Sequence, residues 1–85
     1  MSSPVRVGDP LGWVLAKFEK GAIHPLRFRW RQREFDVAAV HARWTDRETR
    51  PIRRFFSVSV ASGEVMELCY REGDPVWYLT QLEAD

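Results

Sequence analysis

Pro25-Leu26-Arg27-Phe28-Arg29-Trp30-Arg31-Gln32-Arg33-Glu34-Phe35-Asp36-Val37 is the stretch on which the fold turns. Leu26, Phe28 and Trp30 alternate strictly with Arg27, Arg29 and Arg31. That is the period of a half-buried strand, in which successive side chains point to opposite faces. A second run begins at Glu34-Phe35-Asp36-Val37. With Gln32 and Arg33 as a two-residue hairpin loop, Arg31 faces Glu34, Trp30 faces Phe35, Arg29 faces Asp36 and Phe28 faces Val37. Charge meets opposite charge on one face, and aromatic meets aromatic or β-branched residue on the other. Such cross-strand pairs contribute about 0.2–1 kcal/mol each, and a slip by one residue would turn every apolar side chain to water.

Working outward, the parity breaks after Val37, because Val40 and Trp44 are even-numbered where Phe35 and Val37 are odd. One extra residue near Ala38-Ala39, a β-bulge, restores a common buried face. Residues 45–53 are polar, contain Pro51 and read as an exposed loop. A second hairpin follows. Phe56, Val58 and Val60 alternate with small polar residues, as Met66, Leu68 and Tyr70 do with Glu67, Cys69 and Arg71. A three-residue loop, Ala61-Ser62-Gly63, keeps both even-numbered sets on one face and puts Gly63 where a left-handed conformation is needed. Glu72-Gly73-Asp74-Pro75 is a further turn, and Val76 to Leu82 supplies the last strand.

Upstream, residues 11–19 fit two patterns. Leu11, Val14, Leu15 and Phe18 have helical spacing, whereas Val14, Ala16 and Phe18 alternate as a strand does. The short interval between Pro10 and Lys20-Gly21 favours the strand. Residues 1–10, with two prolines and a glycine, read as a loosely ordered arm with Val5 and Val7 laid against the body. The whole chain, 1–85, is thus expected to be one small all-β domain. Its expected form is a five- or six-stranded antiparallel curled sheet or small partly open barrel, with hairpins at 32–33 and 61–63.

Composition narrows the class. Eighty-five residues support one thin core and no deep catalytic vault. An apolar run such as Trp13-Val14-Leu15-Ala16 is far shorter than the roughly 20 residues that span a bilayer, and Met1-Ser2-Ser3-Pro4 does not open a secretory signal. The single cysteine, Cys69, cannot form an internal disulfide, which suits the reducing cytoplasm. Two histidines, His24 and His41, and one distant thiol lack metal-ligand spacing, so no metal or other cofactor is expected. The close carboxylates Glu34/Asp36, Glu64/Glu67 and Glu72/Asp74 have plain roles as arginine partners or turn residues, and no Gly-rich phosphate loop is present. No catalytic residue is expected, and none of these features points to an enzyme.

Charge carries the remaining signal. Residues 1–54 hold 12 Arg and Lys against 6 Asp and Glu, while residues 55–85 hold 1 against 6. Nine of the 13 cationic residues lie between Arg27 and Arg54, and all nine are arginine. Arg27, Arg29 and Arg31 form a comb with teeth about 6.7 Å apart, which reads either as a solvated, carboxylate-paired strand face or as a surface that follows a phosphate backbone. The hairpin register neutralises Arg29 and Arg31. The residues expected to meet an anion or a nucleic acid are therefore Arg27, Arg33, Arg43, Arg47, Arg50, Arg53 and Arg54, with aromatic side chains nearby for stacking. The acidic second half could equally receive the basic half of another copy, giving a homodimer, or pair with it inside one molecule.

The run from Pro25 to Arg31, then Arg33-Glu34-Phe35, Val37, Val40 and Trp44, resembles a family of small bacterial all-β proteins built on a domain of unknown function. Val60, Gly63, Glu67-Leu68 and Trp77-Tyr78-Leu79 continue the similarity, which covers about residues 12–84. Members of that family are often encoded near Y-family (translesion) DNA polymerases. The resemblance implies a non-enzymatic accessory module that binds a protein partner such as a DNA polymerase or repair factor. Direct binding of single-stranded nucleic acid is the alternative. The family usually has glycine at position 32, which suits the first central site of a type II′ turn. Gln32 departs from that pattern and leaves the turn type open.

Overall fold

The computed structural model describes residues 4–83, and among these there is no helix. Seven strands form one antiparallel sheet: β1 (Val5–Pro10), β2 (Trp13–Glu19), β3 (Ala22–Trp30), β4 (Arg33–Asp46), β5 (Arg53–Val60), β6 (Val65–Arg71) and β7 (Trp77–Glu83). Their order across the sheet is β1-β7-β6-β5-β4-β3-β2. The strand count exceeds the expected five or six because residues 5–10 pair with β7 instead of lying as a loose arm. Val7 packs on the core while Val5 stays exposed; residues 1–3 of the arm lie outside the described residues. Pro10 fits there because it sits at the end of an edge strand, and Gly8 (φ 92°) takes up the bulge between Arg6 and Asp9.

The two outermost strands, β1 and β2, are separated in the chain only by Leu11-Gly12. The Leu11 N–H donates to the Trp77 carbonyl and the Gly12 N–H to the Arg29 carbonyl, both at 2.8 Å. One continuous segment therefore ties the β7 side of the sheet to the β3 side, which forces the sheet to curl. No ladder joins β1 to β2, so the sheet is not closed. Inside the curl lie Leu11, Phe28, Phe35, Phe56, Val58, Val60, Met66, Leu68 and Leu79. Burying side chains of this size contributes about 1.5–3 kcal/mol each, and among the described residues no polar one shares the core.

The β5–β6 hairpin has the expected form. Ser59 pairs with Val65, the Gly63 N–H donates to the Val60 carbonyl at 2.9 Å, and Gly63 takes a φ of 101°. The β3–β4 hairpin is corrected by one position. Its loop is Arg31-Gln32 rather than Gln32-Arg33, with Trp30 opposite Arg33, Arg29 opposite Glu34, Phe28 opposite Phe35 and Arg27 opposite Asp36. Both loop residues have positive φ, 50° and 65°, the requirement of a type I′ turn, so Gln32 holds its second central site. The reward for this register is the Phe28–Phe35 stack at 5.3 Å in the core.

Three further irregularities redirect side chains. The expected bulge at Ala38 is present, since Val37 pairs with Val60 and Ala39 with Ser59. A second shift, between Val40 and Ala42, reverses the parity again and turns Trp44 outward, 42% exposed, instead of into the core. A third, opposite Leu15 and Ala16, leaves Leu26 as the extra residue of β3, so Pro25 is buried and Leu26 is exposed.

Candidate nucleic-acid interface

Alternation places Arg54, Phe56, Val58 and Val60 on the inner face of β5, and Arg53, Phe55, Ser57 and Ser59 on the outer one. The pairing registers extend this outer face across four strands. Trp44, Phe55, Cys69 and Tyr78 are successive cross-strand neighbours, and Asp46, Arg53 and Arg71 form the next row. Trp44 and Phe55 stack with ring centres 5.4 Å apart and planes within 5°. The Arg53 guanidinium lies 5.5 Å from the Phe55 ring centre, and that of Arg71 lies 4.8 Å from the ring of Tyr78. The outer face is thus an aromatic row edged by two arginines, the pairing of ring surface and fixed cation that binds single strands. Cys69, between Phe55 and Tyr78, is buried, and burial pushes its thiol pKa up.

The arginines singled out in the sequence do not form one patch. Arg27 is taken by two acids, Glu34 at 3.1 Å and Asp36 at 3.2 Å. This corrects the expectation that Arg29 and Arg31 carry the neutralising pairs. Arg31 has left the strand for the turn and bonds Asp9 at 2.9 Å, beside the Trp30 indole N–H, which donates to the same carboxylate oxygen. These bonds, with Trp30 the larger influence, hold the Asp9 pKa below the usual carboxylate range. Arg33 lies over the Phe35 ring at 4.9 Å, away from the outer row.

Arg43 and Arg54 belong to a different feature. Where β4 bends away from β3 at its bulges, a cavity of about 290 Å³ opens between the β2–β3 turn and the ends of β4 and β5. Phe18, Ile23, Arg43, Trp44, Arg54 and Phe56 are among its lining residues. His24 Nδ1 accepts from Arg43 Nη2 at 2.9 Å, and Arg54 reaches Glu72 at 3.4 Å, an ion pair that joins the basic and acidic halves of one chain.

Of the other three, Arg53 edges the outer row, Arg50 lines a depression together with Arg53, and Arg47 lies in the β4–β5 loop. Arg50 Nη1 donates to the carbonyls of Arg47 (2.8 Å) and Thr49 (3.1 Å). Arg53 bonds Asp46 at 3.0 Å, yet its Nε is buried without a hydrogen-bond partner. The Asp46 pKa is lowered, first by the Glu48 backbone N–H and then by Arg53. Sequence reasoning missed Arg71 and Tyr78. The signal was present, because the register set by the 61–63 loop puts Arg71 directly opposite Arg53. No group of His, Cys, Asp and Glu among the described residues could hold a metal ion. Among the described residues no helix is long and apolar enough to cross a membrane. Comparison with protein-family models, with curated proteins and with solved structures finds no match to this chain.

Proposed function

We propose that this chain is a non-enzymatic binding module, a small partly open barrel whose outer face holds single-stranded nucleic acid. The observation that carries this reading is the Trp44–Phe55 stack in one cross-strand row with Tyr78, with Arg53 set over the Phe55 ring and Arg71 over the Tyr78 ring. Bases stack on such rings at about 1–3 kcal/mol each without regard to sequence, while arginines neutralise phosphates. The mechanism is display by a rigid sheet, with no bond made or broken. A fluorescent single-stranded oligonucleotide titrated at two salt concentrations tests it. With Arg50, Arg53 and Arg71 displacing counterions, log K falls with log salt at a slope near about −2. Absence of saturable binding at low salt, or binding indifferent to salt, overturns the reading.

A second reading, a protein partner from the repair setting that the sequence resemblance implies, has its own observation. β2 is an edge strand, and it carries Trp13, Leu15 (55% exposed) and Phe18 (79% exposed). An extended partner segment can add to such an edge by backbone pairing, with the apolar side chains giving specificity. Cross-linked capture of a polymerase or repair factor that is lost in Leu15→Lys supports this reading. Capture unchanged by that substitution removes it.

A further inference from the structure

The outer aromatic row ends at a depression of about 250 Å³ lined by Thr49, Arg50, Pro51, Arg53 and Arg71. That is below the roughly 300–1,000 Å³ typical of sites for drug-sized molecules, so the occupant is a small group or the end of a larger one. Arg53 and Arg71 are directly opposed on neighbouring strands, an arrangement that destabilises a sheet unless something negative lies between them. Among the described residues, the one carboxylate that touches this trio is Asp46, on Arg53. Glu72, next to Arg71 in sequence, is committed to Arg54. Arg50 is braced by two backbone carbonyls through one nitrogen, and its other nitrogens bond nothing among the described residues. The buried Arg53 Nε has no acceptor at all. Three cations and one acid leave two positive charges around a recess that Thr49 also lines, its hydroxyl donating to the Pro51 carbonyl at 3.2 Å.

We propose that this recess binds a phosphate monoester: the dianionic terminal phosphate of a nucleic-acid strand, whose adjoining base then stacks on the aromatic row. Charge decides between the two kinds of phosphate. An internal diester carries one negative charge, whereas a monoester carries about −1.5 to −2 at neutral pH and matches the uncompensated charge of the recess. Guanidinium forks suit its three free oxygens, and bonds between two ionised partners are the strong ones. The proposal rests on the single-strand reading for the identity of the ligand, but not for the chemistry of the recess.

The test compares one oligonucleotide sequence with a 5′-phosphate, with a 3′-phosphate and with hydroxyls at both ends. Inorganic phosphate is titrated separately by following backbone amide NMR shifts. A phosphorylated end binds about tenfold more tightly than the hydroxyl-ended strand. The advantage is lost in Arg71→Gln and only partly kept in Arg71→Lys, with a melting temperature no lower than that of the unsubstituted chain. Which end is preferred identifies the polarity of the strand. Equal binding of all three oligonucleotides overturns the recess proposal and leaves the single-strand reading standing. Inorganic phosphate shifting the amides of residues 49, 50, 52, 53 and 71, with no oligonucleotide bound, supports the recess and overturns the single-strand reading. No binding by any probe overturns both.

Discussion

Arg27 on β3 and the opposed pair Arg53 and Arg71 on β5 and β6 are the same residue type on outward strand positions, in opposite electrostatic company. Arg27 has two carboxylates within 3.2 Å, one more than its charge requires. Arg53 has one, Asp46, and Arg71 has none among the described residues. A count of arginines along the chain treats these positions alike. What separates them is the cross-strand partner, which only register supplies. Acidic residues opposite a basic strand make a solvated face; basic residues opposite each other make an incomplete one.

The comparison breaks most strongly at the core beneath the satisfied end. Phe28 is fully buried and stacked on Phe35, one residue from Arg27. Phe28→Ala is expected to destabilise the fold by about 3–5 kcal/mol, read from urea denaturation, because it removes the stack and leaves a cavity. A loss below about 1 kcal/mol would mean that charge pairing, not the aromatic stack, sets the β3–β4 register.

That register also marks how far the sequence could be read. Loops at 31–32 and at 32–33 put the same side chains on the same faces, so alternation cannot choose between them. The complementary pair Arg31–Glu34 argued for one. The structure adopts the other, where Phe28 meets Phe35 and two non-glycine residues accept positive φ. The β5–β6 hairpin was legible because parity excluded the two-residue loop and Gly63 supplied the left-handed residue. The aromatic row was not legible. It depends on the second shift in β4, near His41, which turns Trp44 from an inward to an outward position and leaves no signature in the pattern. β1 was hidden for a different reason: its glycine and its one proline, Pro10, mimic a loop, and its edge position tolerates them.

At the incomplete end the expected sign is reversed. Arg71→Thr removes a like-charge opposition and adds a β-branched residue, so it should stabilise the fold by about 0.2–1 kcal/mol while weakening anion binding. A site that gains stability when its side chain is removed is held for binding rather than for folding. Loss of stability in this variant, measured by the same urea titration, would make Arg71 a structural residue, with its contact to Tyr78 as the reason.

Arg27→Gln tests the opposite side with a smaller effect. Exposed ion pairs are worth at most about 1 kcal/mol, and Arg27 is 47% exposed, so a loss of about 0.2–1 kcal/mol is expected, with oligonucleotide affinity unchanged. If affinity falls as far as it does in Arg71→Gln, the distinction between the two groups fails.

Among the described residues, Asp46 is the only acid on the incomplete end, and its titration gives the last comparison. Its pKa is lowered in the fold, first by the Glu48 N–H and then by Arg53, so the unfolded chain binds its proton more readily. The stability this contributes is fully present above the ordinary aspartate value of about 3.9, and is lost as pH falls through the lowered folded value. Asp46→Asn should therefore flatten part of the fall in stability between pH 5 and pH 3, measured by urea denaturation at each pH. At neutral pH the same substitution leaves all three positive charges of the recess uncompensated, so phosphate affinity should rise even as the loop loses its anchor. Those two effects have opposite signs and one cause. If phosphate binding weakens along with the loop, Asp46 organises the recess rather than competing for it, and the charge count that assigns a dianion to this site is wrong.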